Sequence, residues 1–384
     1  LTCRSLVSRS HLISHRMESW DRYSEEQVVF QNARELVDTK SQSHNQYREN
    51  RMPTALIQGR IAVQFQHLLR KELDDSWNIH VWDPAINDPE EFVAMAYEAD
   101  AIIGGKIPTD SWPQIPNLKL FQIPWTGYDF CSPESMPQGI PVCNCYEHER
   151  PIAEFVLCAI LESKIGLREI DQRFRREGWG GRQPGTTLYH GEIRAQTVGI
   201  IGYGHIGEAV AKRAAAFDMR VVGIRRSKQL TPPFLDWLGT SDRLDDLLRE
   251  SDFVVVACDL NKETEGMIGA PQLALMKPDS VIINVARGRI IAEEPLYNAL
   301  KNKEIGGAIL DTWYNYIGPD KQDVWPSNYP FQDLDNVILS AHESSSTPEQ
   351  VERRWKFVAS NLNRMIKGKP AENKVFIGTS KVGI

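Results

Sequence analysis

Three groups of residues have types and spacings suited to redox and proton chemistry. Gly202-Tyr203-Gly204-His205-Ile206-Gly207 is a G-x-G-x-x-G run. Such a run can hold a pyrophosphate: the first glycine permits a tight turn, the second lets phosphate approach the backbone, and the third lets a helix pack close to a strand. Arg225-Arg226-Ser227 begins 23 residues after Gly202, near the offset of about 20 residues where NAD sites place an acid. No acid stands there. Two guanidiniums and a hydroxyl suit a 2′-phosphate, because an arginine fork offers planar, multidentate donors. NADP(H) is therefore the expected cofactor, and NAD(H) stays open if these arginines are only a solvated basic loop. The third group is Arg287, in Asn284-Val285-Ala286-Arg287-Gly288-Arg289, together with His342, in Ala341-His342-Glu343. An arginine can clamp a carboxylate while polarising a carbonyl, and a histidine suits proton transfer near neutral pH.

These groups need elements to place them. Val198 to Ile201 form an apolar strand running into the glycines, and Ala209 to Phe217 follow as a strong helix former, so the helix N-terminus would face the phosphates. Short apolar runs predict strands at 55–58, 79–82, 101–103, 120–123 and 139–142, then at 197–201, 220–224, 253–257, 281–285, 307–310 and 337–339, with helical patterns between many of them. That alternation predicts an α/β fold with two doubly wound parallel sheets. Arg287 and His342 fall just after strands, where open α/β sheets bind ligands. A single helix over 151–178 is expected as a spacer between two lobes, followed by a loop over 179–193. A last helix over 348–366 is expected to pack back on the first lobe. The domains read as an extension over 1–51, a substrate-binding domain over 52–150 and a cofactor domain over 151–344.

Composition narrows the partners. At 384 residues, 41% hydrophobic and 25% charged, the chain matches an ordinary globular protein of two domains. A net charge of -7 argues against nucleic acid and anionic membranes as partners. No apolar run reaches the length of a membrane span. The six cysteines are thinly spread, which suits a reducing, cytoplasmic setting. Cys143-x-Cys145 is the one close pair, and no metal site is expected from it. Residues 1–16 hold Arg4, Arg9 and Arg16 among serines with no acid, so organelle import stays open as well. Ser24 to Gln27 has capping-box spacing ahead of a short amphipathic helix, and 38–51 reads as a polar linker.

With these motifs in view, the chain resembles the D-isomer-specific 2-hydroxyacid dehydrogenase family over about residues 53–366. The resemblance rests on the glycine run, on Met276-Lys277-Pro278 ahead of Ile283 to Gly288, on Leu310-Asp311, and on His342 followed by Thr347. It implies two Rossmann-like lobes: a flavodoxin-like substrate lobe completed by 345–384, and an NAD(P)-binding Rossmann lobe about which two copies pair as a homodimer. It implies that Arg287 binds the carboxylate and carbonyl of a small 2-oxo acid, such as glyoxylate or hydroxypyruvate. His342 would then donate the proton as hydride arrives. Ala257, Cys258 and Asp259 would border the nicotinamide, with Val285, Ala286 and Asp311 nearby; relatives often carry proline where Asp259 stands. The glycines of Gly104-Gly105-Lys106 would leave backbone N–H groups open to the substrate carboxylate, and Trp125 would wall the pocket.

One departure stands out. The family places a glutamate five residues past the aspartate matching Asp311, and that position here is Tyr316. A carboxylate beside a histidine favours imidazolium, whereas a phenol orients the ring without supplying charge. Reduction is therefore expected to fall at lower pH than in relatives with glutamate. Two alternatives remain open: a formate-type dehydrogenase, whose hydride removal needs no proton transfer, and a non-catalytic, dinucleotide-sensing protein like the corepressors that share this fold.

Overall fold

A computed structural model of the chain describes residues 51–183, 185, 189–317 and 323–382. The expectations for 1–16, for the helix after Ser24 and for most of the 38–51 linker lie outside the described residues. Arg51 is held in place, its Nη2 donating to Asp100 Oδ2 at 2.7 Å.

The first sheet contains β1 (Thr54–Gln58), β2 (Asn78–Trp82), β3 (Ala101–Ile103), β4 (Leu120–Gln122) and β5 (Pro141–Cys143). They lie parallel in the order 2-1-3-4-5, the flavodoxin-like winding. Every residue of β1 is buried, as expected of a strand covered on both faces.

The second sheet is parallel throughout. Its strands are β6 (Thr197–Ile201), β7 (Arg220–Ile224), β8 (Trp237–Gly239), β9 (Phe253–Val256), β10 (Val281–Asn284), β11 (Gly307–Leu310) and β12 (Val337–Leu339), in the order 12-11-10-9-6-7-8. The winding reverses between β6 and β9, and the chain leaves their C-terminal ends in opposite directions. A crevice opens at such a reversal.

A last strand, β13 (Lys374–Ile377), pairs antiparallel with β5 at the edge of the first sheet. Neither β13 nor β8 was expected; each is a short strand at the edge of its sheet.

The helix expected over 151–178 is two helices, Glu149–Ile165 and Leu167–Glu177. Gly166 separates them at φ 63, a left-handed turn natural to glycine at a helix end. The first helix buries Ile152, Val156 and Ile160 in the core that includes Val210 and Ala214 of the helix His205–Ala216.

The terminal helix Pro348–Ile366 starts at Thr347, whose hydroxyl accepts from Gln350 N–H. Its Trp355, Val358 and Leu362 are buried in one core with Ala55, Ile57 and Leu69 of the first lobe. The chain therefore crosses between the sheets twice, once after β5 and once after β12. Among the described residues no helix is long and apolar enough to cross a membrane.

Candidate active site

The glycine run turns directly off β6 into the helix His205–Ala216. Gly202 sits at φ 102, and a side chain there would collide with the Cys258 backbone. A Cβ on Gly207 would lie 2.5 Å from the Gly202 carbonyl oxygen, so this residue brings helix and turn together. At Gly204 a Cβ would meet nothing among the described residues within 4 Å. Open space stands over the turn, at the N-terminus of a helix, where free N–H groups and the helix dipole favour an anion.

A cavity of about 520 Å³ runs from this turn along the C-terminal ends of β6, β7 and β9. Gly202, Tyr203, Gly204, His205 and Ile206 line its floor, Arg225, Arg226 and Ser227 one end, and Ala257, Cys258 and Asp259 the other side. Among the described residues, Arg225 Nε is buried without a hydrogen-bond partner, and so is the Tyr203 hydroxyl. An unpaired buried guanidinium N–H is costly unless a ligand completes it. The open glycine turn and the unpaired arginine both fit a phosphorylated dinucleotide. Burial pushes the Cys258 thiol up to about 12, with Asp259 adding to the effect, so the thiol stays protonated.

A second cavity, of about 650 Å³, adjoins the first and shares Arg226, Ala257, Cys258 and Asp259 with it. Val285, Ala286, Arg287, Tyr316 and His342 line it from the second lobe, and Trp125 and Asp129 from the first. Arg287 follows β10 on a turn braced by Asn284, whose Nδ2 donates to the Arg287 carbonyl at 3.0 Å and whose Oδ1 accepts from Ala286 N–H at 3.1 Å. Across the cleft, Arg287 Nη2 is 3.5 Å from Asp129 Oδ1. A half-exposed pair at this distance holds weakly, so a substrate carboxylate could replace it.

His342 lies on the loop after β12 with φ 60, an unusual left-handed backbone for a residue with a side chain. Asp311 holds that loop. Its buried carboxylate accepts from Ser340 Oγ at 2.7 Å and Glu343 N–H at 2.8 Å through Oδ1, and from Ser344 Oγ at 2.5 Å through Oδ2. Asp311 lines neither cavity and stands behind the histidine. Tyr316 reaches the ring itself, its hydroxyl 3.1 Å from His342 Nδ1. The same oxygen accepts from Trp313 N–H at 3.1 Å. Partial desolvation lowers the pKa of His342, which is still open to solvent, below its ordinary value; Asp311 opposes that shift and Arg287 adds to it.

Gly104, Gly105 and Lys106 are placed differently. The Gly105 carbonyl accepts from Gln58 Nε2 at 2.8 Å, and its Cα faces the Trp125 ring. Gly105 and Lys106 line a separate cavity of about 290 Å³. None of the three is among the residues lining the cleft with Arg287, which Trp125 borders instead.

The structure also brings in residues the sequence did not single out. Tyr146, Thr126 and His148 line the cavity along the glycine turn, and Asp129 and Arg354 the cleft. They lie in loops and on the terminal helix, and converge only when the lobes meet. His148 is buried, and desolvation with the charge of Arg354 pushes its pKa down to about 4. Among the described residues no cluster of three or more His, Cys, Asp or Glu has the arrangement of a metal site.

Comparison with known proteins agrees with this geometry. Residues 157–344 match the family model described as D-isomer specific 2-hydroxyacid dehydrogenase, NAD binding domain. A glyoxylate reductase of Thermococcus kodakarensis is 33% identical over 301 residues, covering 76% of this chain and 87% of that protein. An acyclic imino acid reductase solved with NADPH and D-arginine shares the fold at a TM-score of 0.65 and 26% identity, over 85% of this chain and 100% of that one. A 2-hydroxyacid dehydrogenase of Ketogulonicigenium vulgare gives a TM-score of 0.68 at 24% identity, over 86% and 100%. The chain belongs to the D-isomer specific 2-hydroxyacid dehydrogenase family.

Proposed function

We propose that this protein is an NADPH-dependent reductase of a small 2-oxo acid, of the glyoxylate or hydroxypyruvate kind, yielding the D-2-hydroxy acid. The observation that carries the reading is the meeting of Arg287 and His342 in one cleft beside the glycine-turn cavity. The glyoxylate reductase relative and the NADPH-bound structural neighbour support the substrate class and the cofactor.

The residues divide the work by chemistry. Gly202 to Gly207 hold the pyrophosphate of the dinucleotide, and Arg225, Arg226 and Ser227 its 2′-phosphate. When bound, the reduced nicotinamide supplies the hydride. Arg287 clamps the substrate carboxylate and polarises the carbonyl, which stabilises the developing alkoxide. His342 gives the alkoxide its proton and recovers one from water. Tyr316 orients the ring, and Asp311 holds the loop that carries it.

The substrate-binding unit comprises 52–150 with 345–384, and the cofactor unit 151–344. Exposed Leu167, Phe174 and Trp179, on and after the helix Leu167–Glu177, support pairing of two copies about the cofactor unit. The free thiols Cys131, Cys143, Cys145, Cys158 and Cys258 suit a cytoplasmic setting.

The test is consumption of NADPH and NADH, run in parallel against a panel of 2-oxo acids. Faster turnover with NADPH on glyoxylate or hydroxypyruvate is the expected result. Binding of either dinucleotide without turnover of any 2-oxo acid would favour the sensor reading, and reduction of NADP⁺ or NAD⁺ by formate in a separate assay would favour formate oxidation.

A further inference from the structure

We propose that Tyr146 is a cofactor-positioning residue: with His205 it forms an aromatic clasp between the lobes that closes over the pyrophosphate. The two rings are stacked, their centroids 4.2 Å apart and their planes 28° from parallel. They come from opposite lobes. Tyr146 lies on the crossover after β5, while His205 opens the helix that follows Gly204. Both line the same cavity as the glycine turn.

The crossover presents Tyr146 firmly. Its neighbour Glu147 has φ 73 and is tied to the terminal helix, with the carboxylate accepting from Arg353 Nε at 3.0 Å and the carbonyl from Arg353 Nη2 at 3.3 Å. On its other side the His148 ring lies 13° from parallel to Tyr146, with centroids 6.4 Å apart, and His148 Nδ1 is 3.0 Å from Thr126 Oγ1. Core packing does not explain the stack, since His205 is exposed and Tyr146 half-buried. Rings in this position would keep water from the phosphates. Lower local polarity strengthens the N–H to phosphate bonds made by the helix N-terminus. The clasp rests on the dinucleotide reading of the glycine turn, and not on the choice of NADPH over NADH.

The test measures dissociation constants by calorimetry for the full chain and for Tyr146→Ala, Tyr146→Phe, His205→Ala and the alanine double variant. Each is titrated with NADPH and with adenosine 2′-monophosphate, which has no pyrophosphate. Tyr146→Ala should weaken NADPH about 3- to 10-fold, the range of one aromatic pair. Tyr146→Phe should restore the affinity, and the double variant should be no weaker than the worse single one. Adenosine 2′-monophosphate should bind all of them alike. Unchanged NADPH binding by Tyr146→Ala, equal weakening of both ligands, or losses that multiply in the double variant would overturn the clasp. If the wild type takes NADH instead, the same series is read with NADH and adenosine 5′-monophosphate. A wild type that binds neither dinucleotide would overturn the dinucleotide reading and the clasp with it.

Discussion

The Tyr316 hydroxyl stands 3.1 Å from Nδ1 of His342 while accepting from Trp313 N–H at 3.1 Å. Toward the neutral ring the phenol can donate to Nδ1; toward the imidazolium, which gives up its proton from Nε2, the phenol oxygen can accept from Nδ1–H through its second lone pair. Tyr316 thus offers orientation at the place where the resemblance expects a carboxylate, but without the charge that would hold the ring as imidazolium.

Removing that hydroxyl should slow the chemical step and leave cofactor binding intact. For Tyr316→Phe we expect kcat for 2-oxo acid reduction to fall about 5- to 10-fold, as for one lost hydrogen bond. NADPH affinity should not move. Steady-state kinetics with a parallel binding titration checks this, and a matching loss of NADPH affinity would contradict it.

Arg287 is expected to carry substrate recognition. Its guanidinium stands in the cleft beside His342 and suits a bidentate grip on a carboxylate, so Arg287→Ala should lower kcat/KM by about 100-fold or more. The dinucleotide should bind as before. A variant that keeps most of its kcat/KM would remove Arg287 from the site.

The basic end of the cofactor cavity should set the cofactor preference. Replacing Arg225 and Arg226 together with Ala should raise KM for NADPH about 10- to 100-fold and change that for NADH little, because only NADPH carries the 2′-phosphate. Equal losses for both cofactors would instead mean that the loop was deformed.

Much of this was legible in the sequence, for identifiable reasons. The strands β1, β6, β9 and β10 are continuous apolar runs, and the turns bearing Gly202, Arg287 and His342 follow directly from strand ends. The parallel pairing within the sheets follows from the alternation of strands with helices. The break at Gly166 was missed because apolar periodicity runs up to it and helical charge patterning resumes beyond it. Asp129, Tyr146 and His148 were missed because their roles come from the opposite lobe, through contacts with Arg287 and His205 and through a shared cavity wall. The glycines at 104 and 105 read as an anion cradle in the sequence, yet they pack beside Gln58 and Trp125.

His148 should leave a mark on stability. Its folded pKa is pushed down to about 4, from an ordinary value near 6.5, by burial and by Arg354. Between those values the unfolded chain binds the proton and the folded chain does not. The stabilising contribution is therefore complete above about pH 6.5 and is lost as the pH falls toward about 4, with a total on the order of 3 kcal/mol. Below that, the folded protein is protonated too and the loss levels off. Tm measured against pH should fall more steeply in the wild type than in His148→Gln; parallel curves would contradict this.

The most direct measurement of the central claim is the pH dependence of kcat for 2-oxo acid reduction, in the wild type and in Tyr316→Glu. In the proposed reaction the proton comes from His342, whose pKa is lowered by partial desolvation and by Arg287 against the opposing pull of Asp311. The wild-type rate should therefore fall with rising pH at a value below the ordinary imidazole range. Glutamate at this position should move the fall upward by about one unit or more, as an adjacent opposite charge does. A wild-type rate still flat above about pH 8, with the same profile in Tyr316→Glu, would show that His342 is not the proton donor that Tyr316 positions.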